Sequence, residues 1–427
     1  MNKYLCSTNK LIWILQTGEP LHCDMGNPRP MRAMNLANAL IEHGHNVVLW
    51  SSAFYHQEKK HRSKSFKSII VNNKLTINLI PSIGYKKNIG LGRLFDHAHL
   101  AYNLSKQLKT GNFIIPDVAF IGYPPIETAS VMLNWLKMQK IPTIIDIKDM
   151  WPALFLEPFP KIFKPIIKFL LTPYFYLGRK SIKDATALSS MSQSYLNWMS
   201  LYSGRKLNSL DKINYLTSPL YKISPEKNEE VVKWRNNLNI YNNNKHNFIF
   251  VGSFMSVYDF TVVRDTAKRF LNEKIKCKFI ICGDGAFSKV IKEIMYGLPN
   301  VIFTGWIDRA KISYLVECCS GAIVPYRNIE NFTSNIPNKV IDALSNGLPI
   351  ITTLNGEVKE LVESERVGFV CNNNSKFTMY DAMRILIENP NLQKEMSQRA
   401  FNLYKNLFSY EKVYGDLVTS IENLANN

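Results

Sequence analysis

Apolar and polar positions alternate along this chain in blocks of two periods. "KLIWILQTG" is a short apolar run closed by a turn and predicts a strand. In "NPRPMRAMNLANALIEHG", Met31, Met34, Leu36, Ala37, Leu40 and Ile41 recur at helical spacing, and Gly44 marks the stop. "HNVVLWSS", "PDVAFIG", "PTIIDI" and "ATALSSMS" are four further short apolar runs with helical stretches between them. Strands buried on both faces and alternating with helices predict a parallel, doubly wound sheet. From Ser218 to Asn244 the chain turns polar and Asn-rich, as a linker with a first helix would. The same rhythm then restarts with "NFIFVGSF", "KCKFIICGDG", "NVIFTGW", "GAIVPY", "LPIITT" and "GFVCNNN", each followed by a helical pattern, and the tail from "TMYDAMRILIENP" onward reads as helix. The expectation is an α/β chain of two Rossmann-like domains, over residues 1–220 and 221–405, with a last helix over 406–427 that crosses back to the first domain.

Composition fits that picture. The chain has 427 residues, 46% hydrophobic and 20% charged, which suits two cores of roughly 100–200 residues each. Its 7 cysteines include no CxxC pair, so reduced thiols are expected rather than a disulfide scaffold or zinc site. The opening "MNKYLCSTNKLIWILQTGEP" lacks a signal-peptide pattern, and no apolar run reaches the length of a spanning helix. Charge adds something composition alone does not. The net charge is +18, and residues 1–215 hold 27 Lys and Arg against 12 Asp and Glu. A basic first half attracts nucleic acid, anionic lipid or an acidic substrate. No recognition helix or stacking motif supports nucleic acid. "FPKIFKPIIKFLLTPYFYLGRKSIK" interleaves lysines with aromatic and aliphatic residues, as a segment lying in an anionic headgroup layer does. "HQEKKHRSKSFK" reads as a basic, flexible loop.

Ligands of open α/β sheets bind beyond the carboxyl ends of the strands. Three loops of the second half fit that rule: Gly252-Ser253-Phe254, Gly283-Asp284-Gly285, and Thr333 to Lys339. Neither the P-loop pattern nor the dinucleotide fingerprint occurs, which argues against an ATPase or a simple dehydrogenase.

The ordered series "FVGSF … FIICGDG … NVIFTGW … GAIVPYRN … PNKVIDALSNGLPII … GFV" resembles the donor domain of GT-B glycosyltransferases, specifically the retaining family 4. "YPPIETASV … IPTIIDIKDMWP" resembles the first domain of its bacterial surface-polysaccharide (capsule and O-antigen) branch. The resemblance spans essentially the whole chain. It implies two parallel-sheet domains facing a central cleft, and a transferase moving a hexose or N-acetylhexosamine from a nucleotide-sugar, a UDP-sugar being expected, to a lipid-linked or oligosaccharide acceptor. It implies neither metal nor cofactor, and a site on the cytoplasmic face of the bacterial plasma membrane, held peripherally. Carried over by position, Gly252 and Ser253 lie under the donor diphosphate, and Gly283, Asp284 and Gly285 line the nucleotide cleft. Trp306 and Ile307 hold the base, Thr333 and Ser334 offer donors to the phosphates, Lys339 adds a cation and Asp342 takes the ribose. Asp149 joins Lys339 and Asp342 as a catalytic candidate. Arg32, Glu127, Asp146 and Asp149 are the acceptor-side candidates, with His97 and His99 beside them. The chain departs from the family where Ser334 replaces the first glutamate of the Glu-x7-Glu pattern, and where Ser253 and Tyr258 stand in place of Arg and Lys. Those departures keep two alternatives open: a GT-B-like nucleotide-sugar epimerase, and a catalytically inactive nucleotide-sugar-binding partner subunit.

Overall fold

The computed structural model describes residues 9–26, 28–86, 90–157, 159–217, 225–238, 240, 246–372 and 377–426. Contacts divide the chain into two compact units, Met1–Ser218 with Val413–Asn427, and Pro219–Lys412. The expected boundary at 220/221 lies outside the described residues, and the linker's first helix is Pro225–Asn237.

Among the described residues, ten strands belong to the first unit: β1 (Leu11–Leu15), β2 (Asn46–Ser52), β3 (Phe54–Tyr55), β4 (Lys60–His61), β5 (Lys67–Asn72), β6 (Leu75–Ile80), β7 (Val118–Tyr123), β8 (Thr143–Ile147), β9 (Ala187–Ser190) and β10 (Lys212–Ile213). Eight of them form one sheet in the order β10-β9-β8-β7-β1-β2-β6-β5. It is parallel except at its edge, where β5 runs antiparallel to β6. The centre is apolar on both faces: Trp13, Leu15, Trp50, Ile121, Ile145 and Leu188 are buried in one core on one face, and Ile14, Leu49, Phe120 and Ile144, in register on the other, are buried too. "HQEKKHRSKSFK" is not simply a loop. Lys60–His61 pairs antiparallel with Phe54–Tyr55, and Lys67 opens β5. The edge strand β5 is mostly exposed, so it carries little of the apolar signal that marks the central strands, and its lysine suits an unpaired edge.

The second unit holds β11 (Asn247–Val251), β12 (Lys278–Cys282), β13 (Val301–Gly305), β14 (Gly321–Val324), β15 (Ile350–Thr352) and β16 (Gly368–Val370). They form one all-parallel sheet in the order β13-β12-β11-β14-β15-β16. Strand order reverses between β1 and β7 in the first sheet and between β11 and β14 in the second. Such switch points open a crevice at the carboxyl ends of the strands, and both candidate sites lie there. The last helix, Tyr410–Ala425, buries Val413, Tyr414, Leu417, Val418, Ile421 and Leu424. Within the first unit its Glu422 meets His45 Nε2 at 2.8 Å.

Two helices, Lys164–Leu170 and Thr172–Asp184, carry the basic amphipathic segment. Pro165 and Pro173 sit in the first turn of each, where a missing N–H costs nothing and the fixed φ suits the helix. The prolines start these helices. Ile162, Phe163, Ile166, Phe169, Leu170 and Tyr176 are all more than half exposed.

Candidate functional site

In the second unit, successive strand ends are tied together by backbone hydrogen bonds. Gly252 N–H donates to Cys282 O (2.9 Å), Gly283 N–H to Gly305 O (2.8 Å), and Phe254 N–H to Asp284 O (2.9 Å). The loops after β11, β12 and β13 therefore form one continuous floor. Glycine is required at two points of it. A Cβ on Gly283 would lie 1.9 Å from Gly252 O, and a Cβ on Gly252 would lie 1.4 Å from Lys339 Nζ.

Lys339 stands in the first turn of the helix Asn338–Ser345, which leads into β15. Its ammonium donates to Val251 O at 2.5 Å. It also lies 5.0 Å from the ring centre of Phe250 and 5.5 Å from that of Tyr258, close enough for cation–π attraction. Helix, carbonyl and rings hold this charge directly over Gly252. One helical turn on, Asp342 is half-buried. Its negative charge contributes to raising the Tyr326 hydroxyl, whose pKa is lifted first by burial and then by Tyr258. Tyr258, standing near the family's lysine position, packs on Tyr326 with ring centres 4.7 Å apart and hydroxyls 3.3 Å apart. Lys339 and Asp342 thus flank the same tyrosine pair.

The other donor-side candidates divide. Trp306 follows β13 with its indole 78% exposed, whereas the Ile307 side chain is buried, so Ile307 has only its backbone to offer. Thr333 ends the short helix Glu330–Thr333 with its hydroxyl on Glu330 O (3.2 Å), and Ser334 follows as the helix C-cap. Ser253 is exposed at the mouth. Asp284 turns inward to its own loop. Its carboxylate accepts from Gly285 N–H (2.8 Å) and from the Ser288 hydroxyl, and those two bonds lower its pKa. It fastens the turn instead of facing a ligand. Arg264 pairs with Asp265 on its own helix. Arg327 lines a neighbouring cavity of about 300 Å³ together with Asn328, Thr353 and Asn355.

In the first unit, a cavity of about 160 Å³ lies at the β1/β7 switch point. Gln16 to Glu19 follow β1 and line it. So do Pro124 and Pro125 after β7, Lys148 and Asp149 after β8, Tyr85, and Arg93, Asp96 and His97 on the helix Leu91–Thr110. Asp149 is where an acid at this mouth was expected. Glu19 does double work: Oε2 accepts from Ala33 N–H (2.9 Å), closing the start of the helix Arg32–Glu42, while Oε1 pairs with Lys148. The sequence marks "QTGE" only as a turn after a strand. Its carboxylate becomes legible once Lys148 is brought alongside. His56, whose Nδ1 is 2.5 Å from Tyr85 Oη and 3.1 Å from Lys59 Nζ, has its pKa lowered to about 4 by burial, Lys59 and Arg93.

Arg32 and Asp146 do not face an acceptor. Their side chains are 2% and 1% exposed, and Arg32 Nε lies 2.7 Å from Asp146 Oδ2. The guanidinium also donates to Asp146 Oδ1 (2.8 Å), Asn214 O (3.0 Å) and Tyr215 O (3.0 Å), and Ser189 Oγ donates to Asp146 Oδ1 (2.6 Å). A buried charge is tolerated only when paired and hydrogen-bonded. This cluster meets that demand by clamping the first helix to β8, β9 and the end of β10. Glu127 is likewise withdrawn, on the helix Ile126–Met138, where it accepts from Tyr174 Oη. His99 lies against Asn103 on its own helix (3.3 Å).

Residues 245–389 match the family model for glycosyl transferases group 1. The matched residues lie within the second unit. An uncharacterized glycosyltransferase of Haemophilus influenzae is 30% identical over 135 residues, which are 31% of this chain and 36% of that protein. The match thus spans about a third of that relative's length. Among solved structures, sucrose-phosphate synthase from Thermosynechococcus elongatus superposes with a TM-score of 0.69 at 12% identity, covering 97% of this chain and 99% of that one. HepE of Anabaena, solved in complex with UDP, gives 0.64 at 14% identity over 97% and 100%. At such identities the likeness is one of fold: two α/β domains with parallel sheets, as in GT-B glycosyltransferases.

Proposed function

We propose that this chain is a retaining glycosyltransferase. It moves a hexose or N-acetylhexosamine from a nucleotide-sugar, a UDP-sugar, to a lipid-linked glycan of a bacterial surface polysaccharide. The observation that carries the reading is the Lys339 ammonium held over Gly252, at the strand ends of the segment that matches group 1 glycosyl transferases. A cation above a glycine floor meets the chemical need of the reaction, which is to stabilise charge developing on a leaving diphosphate. In this reading the Lys339 ammonium takes the diphosphate above the Gly252 floor, since the N–H groups of Gly252, Thr333 and Ser334 are already spent on the carbonyls of Cys282, Ile329 and Glu330. Asp342 takes the ribose hydroxyls as an acceptor-only group, and Trp306 covers the base. Ser334 has no carboxylate to give, so the cation carries more of the work than the usual glutamate pair would leave to it. The complex of Anabaena HepE with UDP favours a uridine donor. No metal or cofactor takes part, and the leaving diphosphate accepts the acceptor's proton.

The acceptor side rests on the first unit. Asp149 lines its cavity, its half of the chain carries most of the +18 charge, and its exposed Ile166–Phe169 face is interleaved with lysines. That face would rest on the anionic inner leaflet, where a lipid diphosphate acceptor lies. No helix among the described residues is long and apolar enough to cross a membrane. The test is thermal-shift screening with UDP-, GDP- and CMP-sugars. Stabilisation by a UDP-sugar is expected, and stabilisation by none would count against the whole reading. Conversion of the donor to an epimer with no acceptor present would instead favour the epimerase.

A further inference from the structure

Two buried polar atoms in the first unit face each other without a hydrogen bond. His97 Nδ1 and Glu127 Oε2 are 3.9 Å apart, their side chains 5% and 10% exposed. Among the described residues, neither atom has another hydrogen-bond partner. Buried polar atoms left this way are rare and costly. Their surroundings are otherwise fixed. Glu127 Oε1 is occupied by Tyr174 Oη. The His97 ring lies between Tyr85 and Trp151, at centroid distances of 6.3 and 5.7 Å. His97 lines the cavity at the β1/β7 switch point, and Glu127 stands behind it.

We propose that Glu127 is a positioning residue acting through His97: Nδ1–H of His97 donates to Glu127 Oε2, and the bare Nε2 accepts a hydrogen bond from a sugar hydroxyl in the cavity. Closing the present gap by about 1 Å brings the pair to hydrogen-bond distance, and a small rotation of the imidazole supplies it. The Tyr174 hydroxyl makes the arrangement directional, since it fills one carboxylate oxygen and leaves the other facing Nδ1. The ring nitrogen bonded to a carboxylate sets which nitrogen is left bare.

The cavity suits a neutral sugar. Its charges are mixed, with Arg93 and Lys148 among Glu19, Asp96 and Asp149, and Phe54 and Tyr85 supply apolar surface. Burial, Arg93 and His56 lower the His97 pKa to about 3. A ring so weakly basic can hold a hydroxyl but cannot take its proton. That division of labour agrees with the proton leaving to the donor's diphosphate, and the assignment of the sugar as acceptor rests on the transferase reading above.

The test uses the full chain labelled with ¹⁵N-histidine, and His97→Asn to assign the signal. Long-range ¹H–¹⁵N spectra should show His97 with Nδ1 protonated and Nε2 bare. Glu127→Ala should lose that pattern, and Glu127→Gln, whose amide oxygen still accepts, should restore it. A merely structural glutamate would leave the tautomer unmoved. Methyl glycosides of gluco, galacto and manno configuration, with and without a 2-acetamido group, are then titrated at millimolar concentration. At least one should shift Nε2, and Glu127→Ala should weaken its binding about fivefold, as for one lost hydrogen bond. A protonated Nε2 in the wild-type protein, a tautomer indifferent to Glu127→Ala, or no glycoside response would each overturn the proposal. The nucleotide screen reads the second unit alone. Failure there with the His97 pattern intact leaves a sugar-binding pair and removes the transferase, and the reverse result spares the transferase.

Discussion

Lys339 Nζ occupies the space that any side chain at position 252 would fill. A Cβ on Gly252 would come within 1.4 Å of it, and the same ammonium donates to the carbonyl of the preceding residue, Val251. Glycine at 252 and lysine at 339 are therefore one feature, although 87 positions separate them. Gly252→Ala should push the lysine off the strand end. The expected result is a loss of UDP affinity close to that of Lys339→Ala, roughly 10- to 150-fold, as for a charge-assisted hydrogen bond of about 1.5–3 kcal/mol. The double variant should lose little more than either single one, because both remove the same contact. Calorimetric titration with UDP tests this. Additive losses would mean that the two residues act separately.

Asp342 lies one helical turn beyond Lys339 and shares the tyrosine pair with it. Asp342→Asn keeps size and shape but loses one acceptor oxygen. In the ribose reading it should weaken UDP several-fold and leave inorganic pyrophosphate unaffected. Equal weakening of both probes would move Asp342 to the phosphates, and no change in either would end the ribose assignment.

The exposed indole of Trp306 suits stacking on a base. Stacking on an aromatic side chain contributes about 1–3 kcal/mol per base by alanine substitution, so Trp306→Ala should weaken UDP by roughly 5- to 150-fold. Competition by pyrophosphate should be unchanged. Quenching of tryptophan fluorescence by UDP should also fall in the variant. Unchanged UDP affinity would place the base elsewhere.

Arg32 and Asp146 lead to a prediction of the opposite kind. Breaking a buried, hydrogen-bonded ion pair by removing one partner costs about 3–5 kcal/mol. Asp146→Ala should lower the unfolding free energy of the first unit, read from its urea transition, by that much, while UDP affinity, a property of the second unit, stays as it is. Stability near wild type would show that Arg32 reaches solvent.

The central strands were legible because each is a continuous apolar run between turn residues, and the glycines of the second unit because they follow such runs. The pairing of Arg32 with Asp146 was not legible. Both were read as groups facing a ligand, since an arginine after a loop and an acid near a strand end suggest one. Only the register of β8 against β7 and β9 shows that Asp146 is buried in mid-sheet. Asp284 failed for a different reason: the Ser288 that captures it lies four residues on, and "GDGAFS" reads equally as a ligand loop or a self-capped turn. The β5–β6 hairpin was missed although "VNNKL" holds a turn signal, because an exposed edge strand lacks the alternation that marks half-buried ones. Glu127 reads from the sequence as an acceptor-side acid, and its place against Tyr174 and behind His97 depends on two helices meeting.

The amphipathic helices of the first unit give the last prediction. Ile162, Ile166, Phe169 and Leu170 are 77%, 59%, 78% and 67% exposed, and Lys161, Lys164 and Lys168 lie among them. Apolar area alone would bind neutral and anionic bilayers alike, whereas each basic residue adds about 1 kcal/mol at an anionic surface. The protein should therefore float with vesicles containing anionic lipid and much less with neutral ones. Reversal of the three lysines to glutamate should abolish the difference. Ile166→Asp with Phe169→Asp should reduce flotation on both. Raising the salt to 1 M, where screening shortens the electrostatic reach to about 3 Å, should weaken the wild type towards the level of the lysine variant. A wild-type protein recovered only from the soluble fraction with anionic vesicles would refute the membrane reading, leaving the exposed face to another partner.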